Sequence, residues 1–459
     1  MGFALTVLYL LTYYLTPATL FGPLAAYRIE LILAILAILA SLPALPQSLI
    51  FKTPQSLATI GLAAAVFLSI LIGMRWFGGV QIALFDFLPC ALAYFLVCLH
   101  CGSKLKLRIL VGLMVFVCFF VILQGTAELK KVADASPAEY SDAELQELSS
   151  HYVFAMKDDQ DQWFYRLGGL GQINDPNDFA QLVVCVVPLV FMFWGKRKPI
   201  RNVLFVILPV GGLLFGVYLT HSRGAILAVL AIVIVAARRR IGLIPSIIIA
   251  AGLFFAATAL NFSGGREISA TSGEDRTALW GTGLQLLKTH PLFGVGFDNM
   301  PDYAGQTAHN SVVVCAAELG LFGLFFWVLF VFSTVNDAFR VSSAIPKVIE
   351  APTYRAMKPA VPNNSPAGAM SEIDIHRFGT AMLLSLTGFL VAGWFLSRAF
   401  VLTLFLLGGM AEILYQKALE RDMVPPRMRF GQLTRYTGLF GFLLILVMYI
   451  SLRILNLMH

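Results

Sequence analysis

Charged residues are scarce in this chain of 459 residues, of which only 13% are Asp, Glu, Lys or Arg. A soluble globular domain carries about a quarter charged residues. Hydrophobic residues make up 58% of the chain and the mean hydropathy is +0.79. Many apolar runs approach the roughly 20 residues with which a helix crosses a bilayer. These features exclude a soluble protein and predict an all-α polytopic membrane protein.

The six cysteines lack the spacing of metal ligands and lie mostly inside apolar runs. We interpret them as small buried apolar residues. The first residues, MGFALTVLYLLTYYLTPATLF, lack a basic n-region and a small-residue cleavage site. We therefore expect them to form the first membrane helix. The net charge of +7 comes from clusters between apolar segments, a pattern typical of cytoplasmic loops and not of nucleic-acid binding.

About thirteen apolar segments are candidate membrane spans. We place them at roughly 3–20, 29–46, 57–73, 83–100, 107–123, 173–194, 202–220, 225–237, 241–260, 311–333, 378–396, 399–416 and 437–455. Because Lys and Arg are enriched in cytoplasmic loops, four basic clusters are expected in the cytoplasm: Lys104, Lys106 and Arg108; Lys196, Arg197 and Lys198; Arg238, Arg239 and Arg240; and Lys417 to Arg435.

Alternation across the membrane then divides the chain. The exoplasmic side receives the loop 124–172, the turn 221–224 and the loop 261–310, which is expected to contain helices. Residues 128–165 hold nine acids against three lysines, as suits an exoplasmic loop. The other segments are N-terminal helices 1–123, central helices 173–260, a helix 311–333, a cytoplasmic loop 334–377 and C-terminal helices 378–459, with the C-terminus outside.

An arginine lies between two of the apolar segments, in the stretch THSRG at 220–224. An arginine costs about 2.5–3.5 kcal/mol at the centre of a membrane helix, and less near the interface. Arg223 is therefore either an interfacial residue that reaches lipid phosphate or part of an anion site facing the protein interior. Ser222 and Gly224 favour the anion site, because a hydroxyl donates hydrogen bonds and a glycine permits close approach.

The two larger exoplasmic loops end in polar residues beside the membrane. Arg166 precedes a glycine-rich stretch in the first loop and, taken alone, is an interfacial anchor. Asp175 followed by Pro176 predicts a helix start there. In the second loop, the Ser-x-x-Asp pattern at 272–275 predicts a capped helix over 274–289. One face of that helix begins with Arg276 and continues with apolar residues.

His309 and Asn310 end the second loop, where the next apolar helix begins. A lone histidine at a helix start is usually a cap or a surface residue, but His309 shares its predicted side with Arg166, Arg223 and Arg276. Arginine forks bind phosphate oxygens bidentately. Histidine titrates near neutral pH and accepts a proton from a hydroxyl. The cluster predicts a site for a lipid-linked anion beside a titratable base.

These stretches together resemble the bacterial O-antigen ligases and the wider superfamily of O-antigen ligases and polymerases. His309-Asn310, nine further residues and GLFG at 320–323 match the ligase pattern H-[NSQ]-x9-G-x-x-[GTY]. THSRGA, Arg276 with Trp280, and HPLFGVGF before the histidine follow the family's order. GQINDPNDFA is similar to its Gly-x-x-x-x-Pro-Asn stretch in altered form. The resemblance covers roughly residues 160–325.

The resemblance implies a glycan transferase that uses no metal, no nucleotide sugar and no other cofactor. The donor is an oligo- or polysaccharide on polyprenyl (undecaprenyl) diphosphate, and an acceptor hydroxyl attacks its anomeric carbon. The implied place is the periplasmic face of the bacterial inner membrane, with lipid A-core lipopolysaccharide as the acceptor. The loop 261–310 contains no Asp-x-Asp motif, and arginines can neutralise the leaving diphosphate instead.

The match to the motif assigns His309 as the general base on the acceptor hydroxyl. Three arginines are expected at the donor diphosphate: Arg223, Arg276 and Arg166. Three further residues are expected to support the site. Asn310 would orient the base, and Trp280 would stack on a sugar or line the cavity. Ser222 would donate a hydrogen bond from its hydroxyl.

Other functions fit parts of this pattern. Within the superfamily, a polymerase joins two lipid-linked glycans and a protein O-glycosylation ligase transfers glycan to a protein. A transporter of a lipid-linked anion would also hold arginines in a cavity, but transporters often contain related halves and broken helices at matching positions, which the sequence lacks. The expected partners are the lipid-linked glycan, an acceptor glycolipid or protein, and membrane lipids, without nucleic acid.

Overall fold

The computed structural model describes residues 1–47, 50–134, 151–157, 163–260, 262, 270–346 and 370–458. Most of these residues are helical. The α-helices in chain order are α1 (Gly2–Leu15), α2 (Pro17–Leu20), α3 (Ile29–Ser41), α4 (Pro54–Leu68), α5 (Val80–Asp86), α6 (Leu88–His100), α7 (Lys104–Asp134), α8 (Pro176–Leu189), α9 (Pro199–Asn202), α10 (Leu208–Thr220), α11 (Arg223–Ile241), α12 (Leu243–Ala259), α13 (Ala270–Thr289), α14 (Met300–Ala304), α15 (Ser311–Ser343), α16 (Glu372–Gly393), α17 (Leu402–Leu419) and α18 (Phe430–Met458).

Short segments of other geometry adjoin these helices. Two π-helical segments extend α4 and precede α10: Ser69–Met74 and Val203–Ile207. The 3-10 segments are Gly22–Tyr27, Leu42–Gln47, Ile50–Lys52, Phe77–Gly79, Gly171–Ile173 and Val190–Phe193. One antiparallel hairpin pairs β1 (Val153–Lys157) with β2 (Trp163–Leu167), with Val153 opposite Leu167.

The prediction of an all-α polytopic membrane protein is confirmed. Among the described residues, nine helical runs are long and apolar enough to cross a membrane, and α1, α6 and α12 are shorter apolar helices. Helix α11 is a further apolar helix. Each predicted span corresponds to one helix or to two consecutive helices. Exposed apolar side chains on α12, such as Ile244, Ile248 and Phe255, are suited to contact with lipid.

Capping residues fix where the membrane helices begin. The carboxylate of Asp175 accepts a hydrogen bond from Asn177 N over 2.7 Å, with Pro176 at the first helical position, as the sequence predicted. The hydroxyl of Thr53 likewise accepts from Ser56 N at the start of α4. These caps satisfy backbone donors that have no partner inside the helix.

Four features of the loops differ from expectation. Helix α7 runs to Asp134 and α15 runs to Ser343, whereas the predicted spans ended at residues 123 and 333. The hairpin was not predicted, and it packs on α7 because the Leu167 side chain fills the space beside Gly125. The capping pattern at 272–275 was misinterpreted, since α13 begins at Ala270 and Ser272 lies inside the helix.

The basic clusters meet at one end of the helices, which we call the basic end and define by residues 104–108, 194–201, 238–240 and 417–429. Lys104 Nζ lies 2.6 Å from Asp374 Oδ2, and Arg377 Nη1 donates to Trp194 O. Arg239 Nη1 donates to Ser342 O, and Arg340 Nη1 donates to Pro426 O. The four clusters predicted to share one side therefore do lie together; that this side is cytoplasmic stays a prediction.

The opposite end holds the residues that the sequence singled out, and we call it the site end: residues 166–175, 220–223, 276–310 and 394–398. Helix α15 starts there at Ser311 and crosses to the basic end. It packs against α4, α16 and α17. Close approach depends on small residues, since the Phe330 ring occupies the space beside Gly408 of α17. The fold thus holds the site on the ends of tightly packed helices.

Candidate functional site

Arg223 is the first residue of α11, directly after a tight turn between α10 and α11. His221 lies in this turn with a φ of 47°, and Ser222 is the residue before the helix. The imidazole Nδ1 of His221 donates to Phe262 O over 2.7 Å, and its ring contacts that of Phe164. His221 therefore packs the turn. Ser222 is 3% exposed, so its hydroxyl is enclosed by protein beside Arg223.

Arg166 lies on β2 and is 4% exposed. Its Nε donates to Thr220 O over 2.8 Å, and its Nη2 donates to Asn177 Oδ1 over 2.9 Å. These bonds join the hairpin to the end of α10 and the start of α8. They favour a role in positioning the turn that carries Arg223. Diphosphate binding by Arg166 itself stays a prediction.

Arg276 and Arg223 lie within electrostatic range of each other, although 53 positions separate them in the sequence. Burial first, and the positive charge of Arg223 second, lower the pKa of Arg276 below its ordinary value. Among the described residues no carboxylate forms an ion pair with Arg276. Two neighbouring guanidinium groups repel each other, and an anion between them would remove that repulsion.

His309 lies next to Arg276 and has an unusual backbone. Its φ of 49° is in the left-handed region, which a non-glycine side chain adopts at an energetic cost. Burial first, and then the Arg276 charge, lower the pKa of His309, while Asp175 opposes the shift. A lowered pKa favours the neutral imidazole, the state in which it accepts a proton.

Five hydrogen bonds hold the segment around His309. The backbone N–H of His309 donates to Ser397 Oγ over 2.7 Å, and Trp280 Nε1 donates to Ala308 O over 2.9 Å. Asn310 is fully buried; its Oδ1 accepts from two backbone N–H groups of α15 and its Nδ2 donates to Trp394 O. Asn310 and Trp280 thus hold the backbone on either side of the base.

The glycine of the histidine motif has a structural requirement. Gly320 interrupts α15 with a φ of 66° and a ψ of −166°, a conformation that is essentially confined to glycine. A Cβ there would lie 2.4 Å from Leu292 O. Beside it, Leu321 N donates to Pro291 O over 2.8 Å. Gly320 therefore lets the HPLFGVGF stretch dock on the helix that begins after His309.

Sequence reasoning missed an ion pair that supports this segment. Arg398 pairs with Asp178 of α8, whose side chain is 6% exposed. Burial alone would lower the pKa of Arg398, but Asp178 outweighs it and raises that pKa. The signal was available, because LSRA at 396–399 places a Ser-Arg pair between two apolar segments as THSRG does. The pair fixes the segment whose Ser397 holds His309.

Comparison with known proteins agrees with this site. Residues 208–328 match the model of a protein family described as O-antigen ligase. No curated protein matches the chain. The matched segment contains Arg223, Arg276, His309 and Gly320, whereas Arg166 lies outside it. The resemblance indicated by the motifs is thus confirmed, and the segment 208–328 is an O-antigen ligase-family segment of a multi-pass membrane protein.

Proposed function

We propose that this protein is a metal-independent glycan transferase of the ligase type. It moves an oligo- or polysaccharide from polyprenyl diphosphate to an acceptor hydroxyl, on the periplasmic face of the bacterial inner membrane. The family match supports glycan transfer in general. The identity of the donor and the role of the acceptor hydroxyl are proposed from the arrangement of residues at the site end.

One arrangement carries the proposal: the imidazole of His309 lies within electrostatic range of Arg276, and Arg276 lies within electrostatic range of Arg223. The positive charge of Arg276 lowers the pKa of His309, and the positive charge of Arg223 lowers the pKa of Arg276. A diphosphate ester offers the oxygens that arginine forks bind. An alcohol offers the proton that a neutral imidazole removes. The arginines thus match the diphosphate of the donor, and His309 matches the hydroxyl of the acceptor.

The reaction follows from these positions. The oxygen of the acceptor hydroxyl forms a bond with the anomeric carbon of the donor while the bond from that carbon to the diphosphate oxygen breaks. The hydroxyl proton passes to His309, and the electron pair of the broken bond leaves with the diphosphate. Arg223 and Arg276 stabilise the negative charge that develops there. A positioned general base contributes about 10²–10⁴-fold to the rate.

The separation of the two ends supports the proposed orientation. All four basic clusters lie at the basic end, and positive loops are enriched on the cytoplasmic side. The site end then faces the periplasm, where a lipid A-core acceptor would be met. In this orientation Arg223, at the first residue of α11, would meet the diphosphate of the donor near the membrane surface.

The test is to incubate the purified protein in liposomes with a labelled polyprenyl-diphosphate glycan and separate acceptors, with and without EDTA. We expect chelator-resistant release of polyprenyl diphosphate together with a glycosylated acceptor. Use of a second lipid-linked glycan as the acceptor would identify a polymerase, and use of a peptide would identify a protein ligase. Movement of intact donor between leaflets without release would contradict the proposal and identify a transporter.

A further inference from the structure

A cavity of about 350 Å³, which we call the polar cavity, lies at the site end and is lined by Thr307 and Ser397, two residues that hold the His309 segment. This volume is within the range of about 300–1,000 Å³ typical of small-molecule pockets. Its lining is mixed, since besides apolar side chains it includes charged and hydroxyl-bearing ones, among them Asp86, Asp298, Glu318, Arg398, Thr307 and Ser397. None of these residues is assigned to the diphosphate.

The cavity is coupled directly to the proposed base. Ser397 lines it, and the Ser397 hydroxyl accepts the backbone N–H of His309 while donating to Thr307 Oγ1, each over 2.7 Å. Thr307 also lines the cavity, two positions before His309. A molecule in the cavity is therefore adjacent to the segment that carries the base.

The charges of the lining select among ligands. Two carboxylates outside the long helices line the cavity, Asp86 and Asp298, and their charges carry this argument. Glu318 of α15 also lines it, but its side chain is nearly inaccessible and its carboxyl accepts the backbone N–H of Met300. The one guanidinium, Arg398, already pairs with the buried Asp178. Partial desolvation raises the pKa of Asp298, with Arg398 opposing. A lining with this balance accepts hydrogen bonds from hydroxyl or amino groups and repels an anion.

We propose that this cavity is the acceptor-sugar subsite and that it takes a sugar residue without negative charge. The inference rests on the proposed function for the role of His309. The hydroxyls of the sugar donate to the carboxylates, and the reacting hydroxyl points toward His309. A uronic acid or a phosphorylated sugar is excluded, because its charge would lie against the lining carboxylates. The anionic donor group and the acceptor sugar thus occupy regions of opposite charge.

A larger cavity adjoins this subsite. It has a volume of about 1060 Å³, is lined mainly by apolar side chains of α1, α3, α4 and α6, and shares Tyr13 and Gln172 with the polar cavity. A sugar in the polar cavity that carries an apolar aglycone therefore has space for that aglycone nearby. This continuity agrees with a sugar presented on a membrane lipid.

Binding of simple glycosides tests the inference without any transfer reaction. The full chain in nanodiscs is titrated with methyl glycosides of glucose, galactose, mannose and N-acetylglucosamine, and with methyl glucuronide and galacturonide, by saturation-transfer NMR. We expect at least one neutral glycoside to bind, at least about fivefold more tightly than either uronide. Equal binding of the uronides, or no binding of any neutral glycoside, would overturn the inference.

Substitutions locate the binding. Asp298→Asn and Asp86→Asn change residues on different elements. Each is expected to lower the ratio of the uronide Kd to the neutral-glycoside Kd by about threefold or more, because each removes a repelling charge. Asp302→Asn is the matched control: Asp302 is exposed on α14, four positions from Asp298 and outside the cavity lining, and should leave the preference unchanged. An unchanged preference in both cavity variants would contradict the assignment.

A last variant separates this inference from the proposed function. His309→Ala should keep the binding preference and lose transfer. If wild-type protein transfers no glycan but still prefers neutral glycosides in the Asp298-dependent way, the proposed function fails and the sugar site stands. If transfer occurs but uronides bind as well as neutral glycosides, the function stands and this inference fails.

Discussion

The backbone N–H of His309 donates a 2.7 Å hydrogen bond to the hydroxyl of Ser397. This bond joins the proposed base to the segment between α16 and α17, which the Arg398–Asp178 ion pair fixes to α8. Residues far apart in the chain thus determine where one imidazole lies. Because His309 has a positive φ, its position depends on such external contacts.

Ser397→Ala is expected to lower the turnover number for glycan transfer by about 2- to 10-fold, the effect of losing one hydrogen bond worth roughly 0.5–1.5 kcal/mol. The KM for the donor should stay unchanged, since Ser397 is not among the diphosphate residues. Ser397→Thr keeps the hydroxyl and should restore most of the turnover. A threonine variant as slow as the alanine variant would show that the hydroxyl does not position the base.

The pH dependence of transfer should have its acidic limb below the ordinary histidine pKa of about 6.5. Burial and Arg276 lower the pKa of His309, so the imidazole stays neutral to a lower pH, and the rate falls only as pH drops through that lowered value. Arg276→Gln removes one cause and should move the limb of kcat/KM to higher pH.

Arg276→Lys is the matched control for that profile. The lysine keeps a positive charge, so the acidic limb should stay near its wild-type position, while the lost fork geometry should weaken donor binding. Wild-type donor affinity in both Arg276→Lys and Arg223→Lys would argue against bidentate diphosphate contacts. A limb that does not move in Arg276→Gln would show that the Arg276 charge does not act on the base.

Gly320→Ala should destabilise the protein. The backbone conformation at Gly320 alone costs an alanine about 1–3 kcal/mol, and the added Cβ would approach Leu292 O to 2.4 Å. Gly438→Ala, in α18 where a Cβ meets no atom within 4 Å, is the control and should leave the thermal unfolding midpoint nearly unchanged. Equal midpoints for the two variants would refute the structural role given to the motif glycine.

A buried ion cluster at the basic end should carry more stability than a surface pair. Arg427 Nη2 lies 2.5 Å from Asp337 and 2.6 Å from Glu412, both nearly inaccessible. Arg427→Met leaves these carboxylates uncompensated and should cost about 3–5 kcal/mol. Lys417→Met, which breaks only an exposed pair, should cost less than about 1 kcal/mol. Comparable losses in thermal unfolding would contradict this account.

The sequence predicted the membrane helices well, because long apolar runs between basic clusters leave few alternatives. The start of α8 at Asp175-Pro176 was also predictable, since its cap is local. The hairpin was not, because its two short strands depend on packing between Leu167 and α7. The start of α13 was mistaken because a plausible capping pattern lay inside a longer helix.

The site was only partly visible in the sequence. Arg223, Arg276 and His309 could be found because each is a polar residue at the edge of an apolar segment and each matches a family motif. Arg398 has the same local signal but was overlooked, and Asp178 was not singled out. Their pairing is a tertiary contact across 220 positions, which no local pattern specifies.

The most direct test of the central claim compares wild type with His309→Ala in liposomes, measuring the transfer rate and donor binding on the same preparations. We expect the variant to bind the polyprenyl-diphosphate glycan as wild type does, because the arginines hold the diphosphate, and we expect transfer to fall by about 10²–10⁴-fold. A variant that transfers glycan at the wild-type rate would contradict the assignment of His309 as the base.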